Sequence, residues 1–172
     1  MNNKIPFPRY QQLFDRSIIA FRAALEGPVA EDDENTPSLD GYLPVLQGRK
    51  LYLSGWATNH PRFETTIVGT SMLIHVTHDA RWARTLSRWY RLETPRRIDT
   101  SQVFPEVALA SYCPTIGLDG IGVPLRVARI VMAQRPAELA RVALANGFDE
   151  SATILAHIEK KLASADVKFI RF

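Results

Sequence analysis

Large apolar side chains recur at helical spacing in the first 25 residues of the chain. Between Arg9 and Leu25 they recur every three or four positions, with one adjacent pair at 13 and 14: Tyr10, Leu13, Phe14, Ile18, Phe21 and Leu25. This spacing places them on one face of a helix, and Gly27 and Pro28 supply a stop signal. The pattern predicts an amphipathic helix over about residues 9–25.

From Tyr42 to Thr77 the pattern changes to short segments rich in Val, Ile, Thr and Tyr. The segments are LPVL, KLYLSGW and TTIVGTSMLIHVT, and glycine-containing breaks separate them. Such composition favours strands, because branched and aromatic side chains suit a pleated, half-buried surface. The region predicts a small antiparallel meander whose last strand ends near His78 and Asp79.

The next segment, DARWARTLSRWYRL from Asp79 to Leu92, has two different sides when it is drawn as a helix. At about 100° per residue, one arc carries four arginines: Arg81, Arg84, Arg88 and Arg91. Another arc carries Trp82, Leu86, Trp89 and Tyr90. We therefore predict one helix whose tryptophan side packs into the core and whose arginine side faces water or an acidic partner.

The last third of the chain predicts three helices and a closing strand. Their approximate ranges are 124–134, 136–146, 150–163 and 167–172. Pro136 is expected to interrupt the first pair, Gly147 to end the second helix, and Asp149 to cap the third. Residues 96–123 are broken by proline and glycine and predict no long element.

These elements predict an α+β fold, with a small antiparallel sheet packed against several helices in one domain over residues 42–172. The N-terminal helix, residues 1–27, is expected to be attached through residues 28–41. This segment is acidic and rich in turn residues, and it predicts a flexible linker.

The charge is unevenly distributed along the chain. The net charge is +3, but six acids and no base lie between Glu26 and Asp40, which leaves 21 bases against 12 acids elsewhere. The single cysteine excludes an intrachain disulfide. No signal peptide and no apolar run of about 18 residues is found. These features predict a cytoplasmic protein without a membrane partner.

The arginines are the strongest indication of a binding function. The candidate binding residues are Arg81, Arg84, Arg88, Arg91, Arg96 and Arg97. Guanidinium groups bind phosphate and carboxylate, so we expect a regulatory or accessory protein that binds nucleic acid or an acidic protein surface, without a cofactor. Two alternatives are an ordinary solvated helix face and internal cover by the acids of residues 31–34. For Trp82 and Trp89, core packing is favoured over base stacking.

Two other functions stay open. One is a small enzyme with its site at the end of the long strand, using His75, His78, Asp79 and Cys113. His75 and His78 are also the weak candidates for metal ligands, although a third ligand is missing. The other is an oligomeric scaffold in which the N-terminal helix docks on a second copy of the chain.

Residues 60–92 resemble a group of small uncharacterised bacterial proteins. The likeness lies in Thr70 and Ser71, in Trp82 to Thr85, in Ser87 and Arg88, and in Tyr90 to Leu92. The resemblance implies a bacterial intracellular protein and carries no function with it.

Overall fold

The computed structural model describes residues 8–28, 36–62, 64–96, 111–112 and 120–167. Its elements, in chain order, are α1 (Pro8–Glu26), β1 (Ser38–Gln47), β2 (Lys50–Thr58), β3 (Thr66–Gly69), β4 (Leu73–Val76), β5 (Trp82–Thr85), β6 (Trp89–Leu92), β7 (Ser111–Tyr112), β8 (Ile121–Gly122), α2 (Leu125–Ala145) and α3 (Asp149–Val167). The predicted α+β class is confirmed.

The strands form one mixed sheet in the order β3-β2-β1-β6-β5-β4, and β8 pairs with β1 and β7. The meander predicted from the sequence is present in part, since β1, β2 and β3 pair in antiparallel fashion. Its predicted last strand is wrong: the segment ending near His78 forms two strands, β3 and β4, which lie at opposite ends of the strand order. Beyond it, β1 also pairs with β6 in parallel, with Ser38 opposite Arg91 and Leu39 opposite Leu92. This pairing joins the meander to the segment that follows β4.

The sheet curls, so that β4 at one end of the strand order also contacts β2 near the other end. One apolar cluster fills the inner side of the curl. Its buried residues are Leu39, Tyr42, Leu51, Leu53, Ala57, Leu73, Val76, Ala83, Tyr90, Leu92, Val123, Ala128 and Met132. Because neighbouring residues of a strand point to opposite faces, the residues between these form the outer side of the sheet.

A bulge in β1 is accommodated by a glycine on the neighbouring strand. The pairing of β1 with β2 shifts register between Asp40 and Leu43, where Gly41 has a φ of 56°. A Cβ on Gly55 of β2 would lie 3.0 Å from the carbonyl oxygen of Asp40 and 3.2 Å from the Cα of Tyr42. The bulge thus needs a residue without a side chain at position 55.

We expect Gly55→Ala to lower the free energy of unfolding by about 1–3 kcal/mol, because the added methyl group meets backbone atoms that cannot move aside cheaply. Urea denaturation followed by circular dichroism measures the change. Lys50→Ala is the matched control, since Lys50 is an exposed residue of the same strand. Equal midpoints for the two variants would contradict this account of the bulge.

The first helix forms as predicted and belongs to a second apolar cluster. Phe14, Ile18 and Phe21 of α1 are buried there with Ile74 of β4, while Phe14 meets Phe148 edge to face with ring centroids 5.1 Å apart. Strand β1 begins at Ser38, so the end of the predicted linker lies in the sheet. Residues 29–35 lie outside the described part. Docking of this helix on a second copy stays a prediction.

The predicted break at Pro136 is wrong, because α2 continues through it from Leu125 to Ala145. A proline inside a helix costs about 3 kcal/mol. Here Met132 before it and Leu139 after it are buried in the two different apolar clusters, so packing holds both halves in one helix.

The predicted end of the helix at Gly147 is correct. The φ of Gly147 is 81°, and the Phe148 amide donates to the Ala143 carbonyl, as in a Schellman motif. The predicted closing strand falls largely on residues 168–172, outside the described part.

The helix predicted over residues 79–92 is wrong, because this segment forms the hairpin of β5 and β6. The turn contains no glycine, the usual hairpin signal. Hydroxyl groups stabilise it instead: the Arg88 amide donates to Thr85 Oγ1 at 3.3 Å, and the Ser87 amide donates to Ser71 Oγ at 3.1 Å. The Leu86 amide donates to the Met72 carbonyl. Hydrogen bonds with residues distant in sequence thus stabilise a turn that the local sequence does not predict.

Candidate functional site

Two tryptophans and two arginines alternate on the outer side of the β5 and β6 hairpin. Trp82 lies opposite Arg91, and Arg84 lies opposite Trp89. Directly opposed residues of an antiparallel pair project to the same face with Cβ atoms about 5 Å apart. Each arginine therefore has a tryptophan beside it on the other strand and a second one two residues away on its own strand. We call these four residues the Trp/Arg face.

Strand alternation divides the arginines that a helix would have placed together. Ala83 and Tyr90, which are directly opposed, point into the inner cluster. Arg88 belongs to that inner side, because it faces Thr85 across the turn and precedes Tyr90 by two residues. The four predicted arginines therefore do not form one stripe. Only Arg84 and Arg91 share the outer side of the hairpin.

The prediction that Trp82 and Trp89 pack into the core is wrong. Both side chains are partly exposed, and neither belongs to an apolar core cluster of the described residues. The core position is taken by Tyr90, which is 3% exposed. A strand turns neighbouring residues to opposite faces, whereas a helix would have kept Trp89 and Tyr90 on one side.

Arg84 is the unusual member of the Trp/Arg face. Its relative exposure is only 8%, and its Nε is buried without a hydrogen-bond partner anywhere in the described part of the chain. Burial lowers the pKa of the guanidinium. A buried donor without a partner costs about 1–3 kcal/mol, so this position is unfavourable in the isolated protein and suited to an anion.

The other arginines of the hairpin have carboxylate partners or lie at its margin. Arg91 Nε binds Glu93 Oε1 at 2.8 Å, an exposed pair that salt screens. Arg81 is highly exposed, and its Nε lies 3.9 Å from Asp79 Oδ2. Their side chains are long and are 39% exposed for Arg91 and 79% exposed for Arg81, so they can turn toward a ligand.

The third tryptophan of the chain extends the outer side of the sheet beyond the hairpin. Trp56 on β2 is 50% exposed and lies opposite Asp40 and Ile67 on the strands beside it. It lines a groove of about 360 Å³ together with Ile67 and Arg96. This groove combines an exposed indole with a guanidinium, as the Trp/Arg face does. Arg97 lies outside the described residues.

The residues of the predicted enzyme site are placed as follows. His75 lies on β4 opposite Arg84. His78 lies in the turn after this strand, and its backbone carbonyl accepts a hydrogen bond from Arg129 Nη2 at 3.1 Å. Asp79 holds the same turn: its Oδ1 accepts from Thr77 Oγ1 at 2.6 Å and from the Arg81 amide at 3.1 Å. These hydrogen bonds lower the pKa of Asp79.

Asp79 thus stabilises the turn between β4 and β5. No group of three or more metal-binding side chains occurs within the described ranges, and Cys113 lies outside them. The enzyme hypothesis therefore stays a prediction.

Arg84, Arg91 and Arg96 are the predicted binding residues on the outer side of the sheet, but the exposure of the tryptophans beside them was not predicted. The available signal was the alternation in WART and WYRL, where every second residue is apolar or small and the others are Trp or Arg. That alternation fits two strands. The position of Trp56 on the same outer side could not be predicted from the sequence, because strand pairing brings β2 into one sheet with the later strands.

The comparisons place this chain in a family. It belongs to DUF6634, a family of unknown function whose profile matches residues 5–111, in agreement with the resemblance noted for residues 60–92. The match contains the hairpin and Trp56. No curated protein and no solved structure matches the chain. Among the helices that the structure describes, none has the length and apolar character needed to cross a bilayer.

Proposed function

We propose that this member of the DUF6634 family binds single-stranded nucleic acid on its Trp/Arg face, in a regulatory or accessory role. The observation that carries the proposal is Arg84, a guanidinium only 8% exposed whose Nε has no partner within the described chain. It is flanked by two partly exposed indoles. A phosphate would provide the missing acceptor and charge, while unpaired bases would cover the indoles.

The combination of exposed indoles and arginines favours single-stranded nucleic acid over a duplex as the ligand. Indoles stack with unpaired bases, and each such stack is worth about 1–3 kcal/mol with little dependence on base identity. A duplex hides the faces of its bases and offers mainly phosphates to a flat surface. An arginine surface alone would suit either form, so the indoles of Trp82 and Trp89 are what favours the single strand.

The outer side offers room for more than one nucleotide. Trp56 on β2 and Trp82 on β5 are separated by three strand spacings, or about 14 Å across the sheet. The groove beside Trp56 is also lined by Arg96, so an indole and a guanidinium occur together there as they do on the Trp/Arg face. A strand crossing from the hairpin toward β2 would meet both.

We expect an unstructured oligonucleotide of about ten residues to quench the tryptophan fluorescence and bind with a salt-dependent affinity. Contacts of two to four arginines with phosphates give a slope of log K against log salt of roughly −1.4 to −2.8. A duplex of the same length should bind several-fold more weakly. Titrations at 50 to 300 mM NaCl test this.

Absence of binding at the lowest salt would overturn the proposal. Equal binding of single strand, duplex and polyglutamate would show that only negative charge is recognised. That result would favour the acidic protein surface as the partner instead, since polyglutamate has no bases to stack on Trp82 and Trp89.

A further inference from the structure

A groove of about 510 Å³ lies between the turn from β1 to β2 and the second half of α2. Its described lining includes three arginines, Arg49 of the turn and Arg135 and Arg141 of the helix, and one carboxylate, Glu138. The volume lies within the range of about 300–1,000 Å³ that is usual for small-molecule sites. None of its described lining residues belongs to the Trp/Arg face or to the groove of Trp56, so this groove is independent of the proposed function.

Arg135 is held in place by contacts within the chain. Its relative exposure is 8%, its Nη2 donates to the Arg49 backbone carbonyl at 2.6 Å, and its Nη1 lies 3.3 Å from Glu138 Oε2. Glu138 thus balances the charge of Arg135, while the hydrogen bond joins the turn to the helix. Arg135 therefore forms a fixed inner wall of the groove and is not itself in need of a ligand.

The other two arginines leave two positive charges in the groove without a balancing carboxylate. The side chains of Arg49 and Arg141 are exposed and form no ion pair within the described part of the chain. They belong to different elements, which the hydrogen bond from Arg135 to Arg49 keeps together. Because both line one concave surface, a single bound molecule can reach both.

The C-terminal end of α2 does not balance these two cations. A helix end carries only about half a negative elementary charge, which falls off within the last turn. Its carbonyls are also in use: the Val142 carbonyl accepts from Asn146 Nδ2 at 2.7 Å, and the Ala143 carbonyl accepts from the Phe148 amide. An anion from outside the chain would supply the balance that the helix end does not.

An apolar strip of α2 runs along the same groove. Leu139, Val142 and Ala145 line it at intervals of three residues, which places them on one side of the helix. Leu139 belongs to the second apolar cluster, whereas Val142 is 39% exposed. A ligand with an apolar part would remove this surface from water, which is favourable in proportion to the area covered.

We propose that the groove binds a small organic dianion with an apolar body. The two negative charges lie on Arg49 and Arg141, and the apolar body covers Val142. Guanidinium groups bind carboxylate and phosphate equally well in geometric terms, so the charged group is a pair of carboxylates or one phosphate monoester. Both have the same charge, and two probes distinguish them.

Calorimetric titration of the full chain with four probes tests the proposal at low salt and about pH 8, where a phosphate monoester is a dianion. We expect phenyl phosphate or phthalate to bind saturably at one site, and the tighter of the two identifies the charged group. Benzoate, with one charge fewer, and inorganic phosphate, without a ring, should each bind about tenfold more weakly than that probe. Absence of saturable binding by both dianions, or equal affinities for all four probes, would overturn the proposal.

Two variants test the residues. Arg141→Gln and Arg49→Gln should each weaken binding of the tighter probe about tenfold, since each removes one charge-assisted contact. Arg126→Gln is the matched control, because Arg126 is exposed on the same helix outside the described lining of the groove, and it should leave the affinity unchanged. Equal losses in Arg141→Gln and Arg126→Gln would contradict a site at this groove.

The apolar part of the ligand is tested at Val142. Val142→Thr keeps the shape of the side chain but adds a hydroxyl group, so it should weaken binding of the tighter organic probe several-fold and leave that of inorganic phosphate unchanged. The same loss for both would contradict an apolar contact. Arg141→Gln should leave oligonucleotide binding unchanged, and Arg84→Met should leave binding of the organic dianion unchanged. The groove and the Trp/Arg face can therefore fail separately.

Discussion

Arg84→Met should make the protein more stable and at the same time deprive it of nucleic-acid binding. Methionine keeps the length and apolar stem of arginine but removes a buried guanidinium whose Nε has no partner in the described chain. Replacement of a buried, unsatisfied charge by an apolar side chain of similar size stabilises by about 1–3 kcal/mol. We expect loss of a charge-assisted hydrogen bond to phosphate to weaken binding by about 10- to 100-fold.

Thermal unfolding and fluorescence titration on the same preparation measure the two effects of Arg84→Met. Arg126→Met is the matched control, because it removes the same charge from an exposed position on α2 and should change stability and affinity little. A destabilised Arg84→Met protein would contradict the assignment of Arg84 as an uncompensated charge. Unchanged affinity would remove it from the binding site.

Trp89→Ala should weaken binding of a single strand by about 5- to 150-fold, the range that corresponds to one lost stack of 1–3 kcal/mol. Trp89 is partly exposed and lies directly opposite Arg84, so its indole is available to a base beside the guanidinium. Trp89→Phe should retain most of the affinity, because a phenyl ring still stacks. Titrations at constant salt measure both variants.

The salt dependence separates stacking from charge. Since tryptophan makes no ionic contact, Trp89→Ala should lower the affinity without changing the slope of log K against log salt. Tyr10→Ala is the control for loss of an aromatic ring, since Tyr10 is 40% exposed on α1, outside the Trp/Arg face. An equal loss in both variants, or recovery with leucine at position 89 as complete as with phenylalanine, would contradict base stacking.

Much of the fold could be predicted where a segment carries its own signals. The spacing of Phe14, Ile18 and Phe21 defined α1, and the turn at Gly48, whose φ is 56°, separated β1 from β2. Gly147 ended α2 for the reason expected from its tolerance of positive φ. Pro136 was misleading, because burial on both sides of it outweighs the local cost of proline in a helix.

The hairpin could not be predicted, because its sequence satisfies two periods at once. Spacings of three and four between Arg81, Arg84, Arg88 and Arg91 fit a helix, while Trp82 with Arg84 and Trp89 with Arg91 fit strand alternation. The turn between the strands has no glycine and depends on Ser71, which is 16 residues away from its partner Ser87. The alternation in WART and WYRL favours strands, but the spacing of the arginines favours a helix equally, and the contacts of Ser71 decide between the two.

The amino-acid sequence alone determined which side chains are available for a site. It has an excess of arginine outside the acidic segment, and tryptophans alternate with arginines between residues 82 and 91. These depend on composition and order, which folding does not change. Which residues face together depended on strand pairing. The pairing places Trp82, Arg84, Trp89 and Arg91 on one side, turns Arg88 to the other, and buries Arg84. Burial and cross-strand contact arise between segments distant in the chain, so no local pattern could specify them.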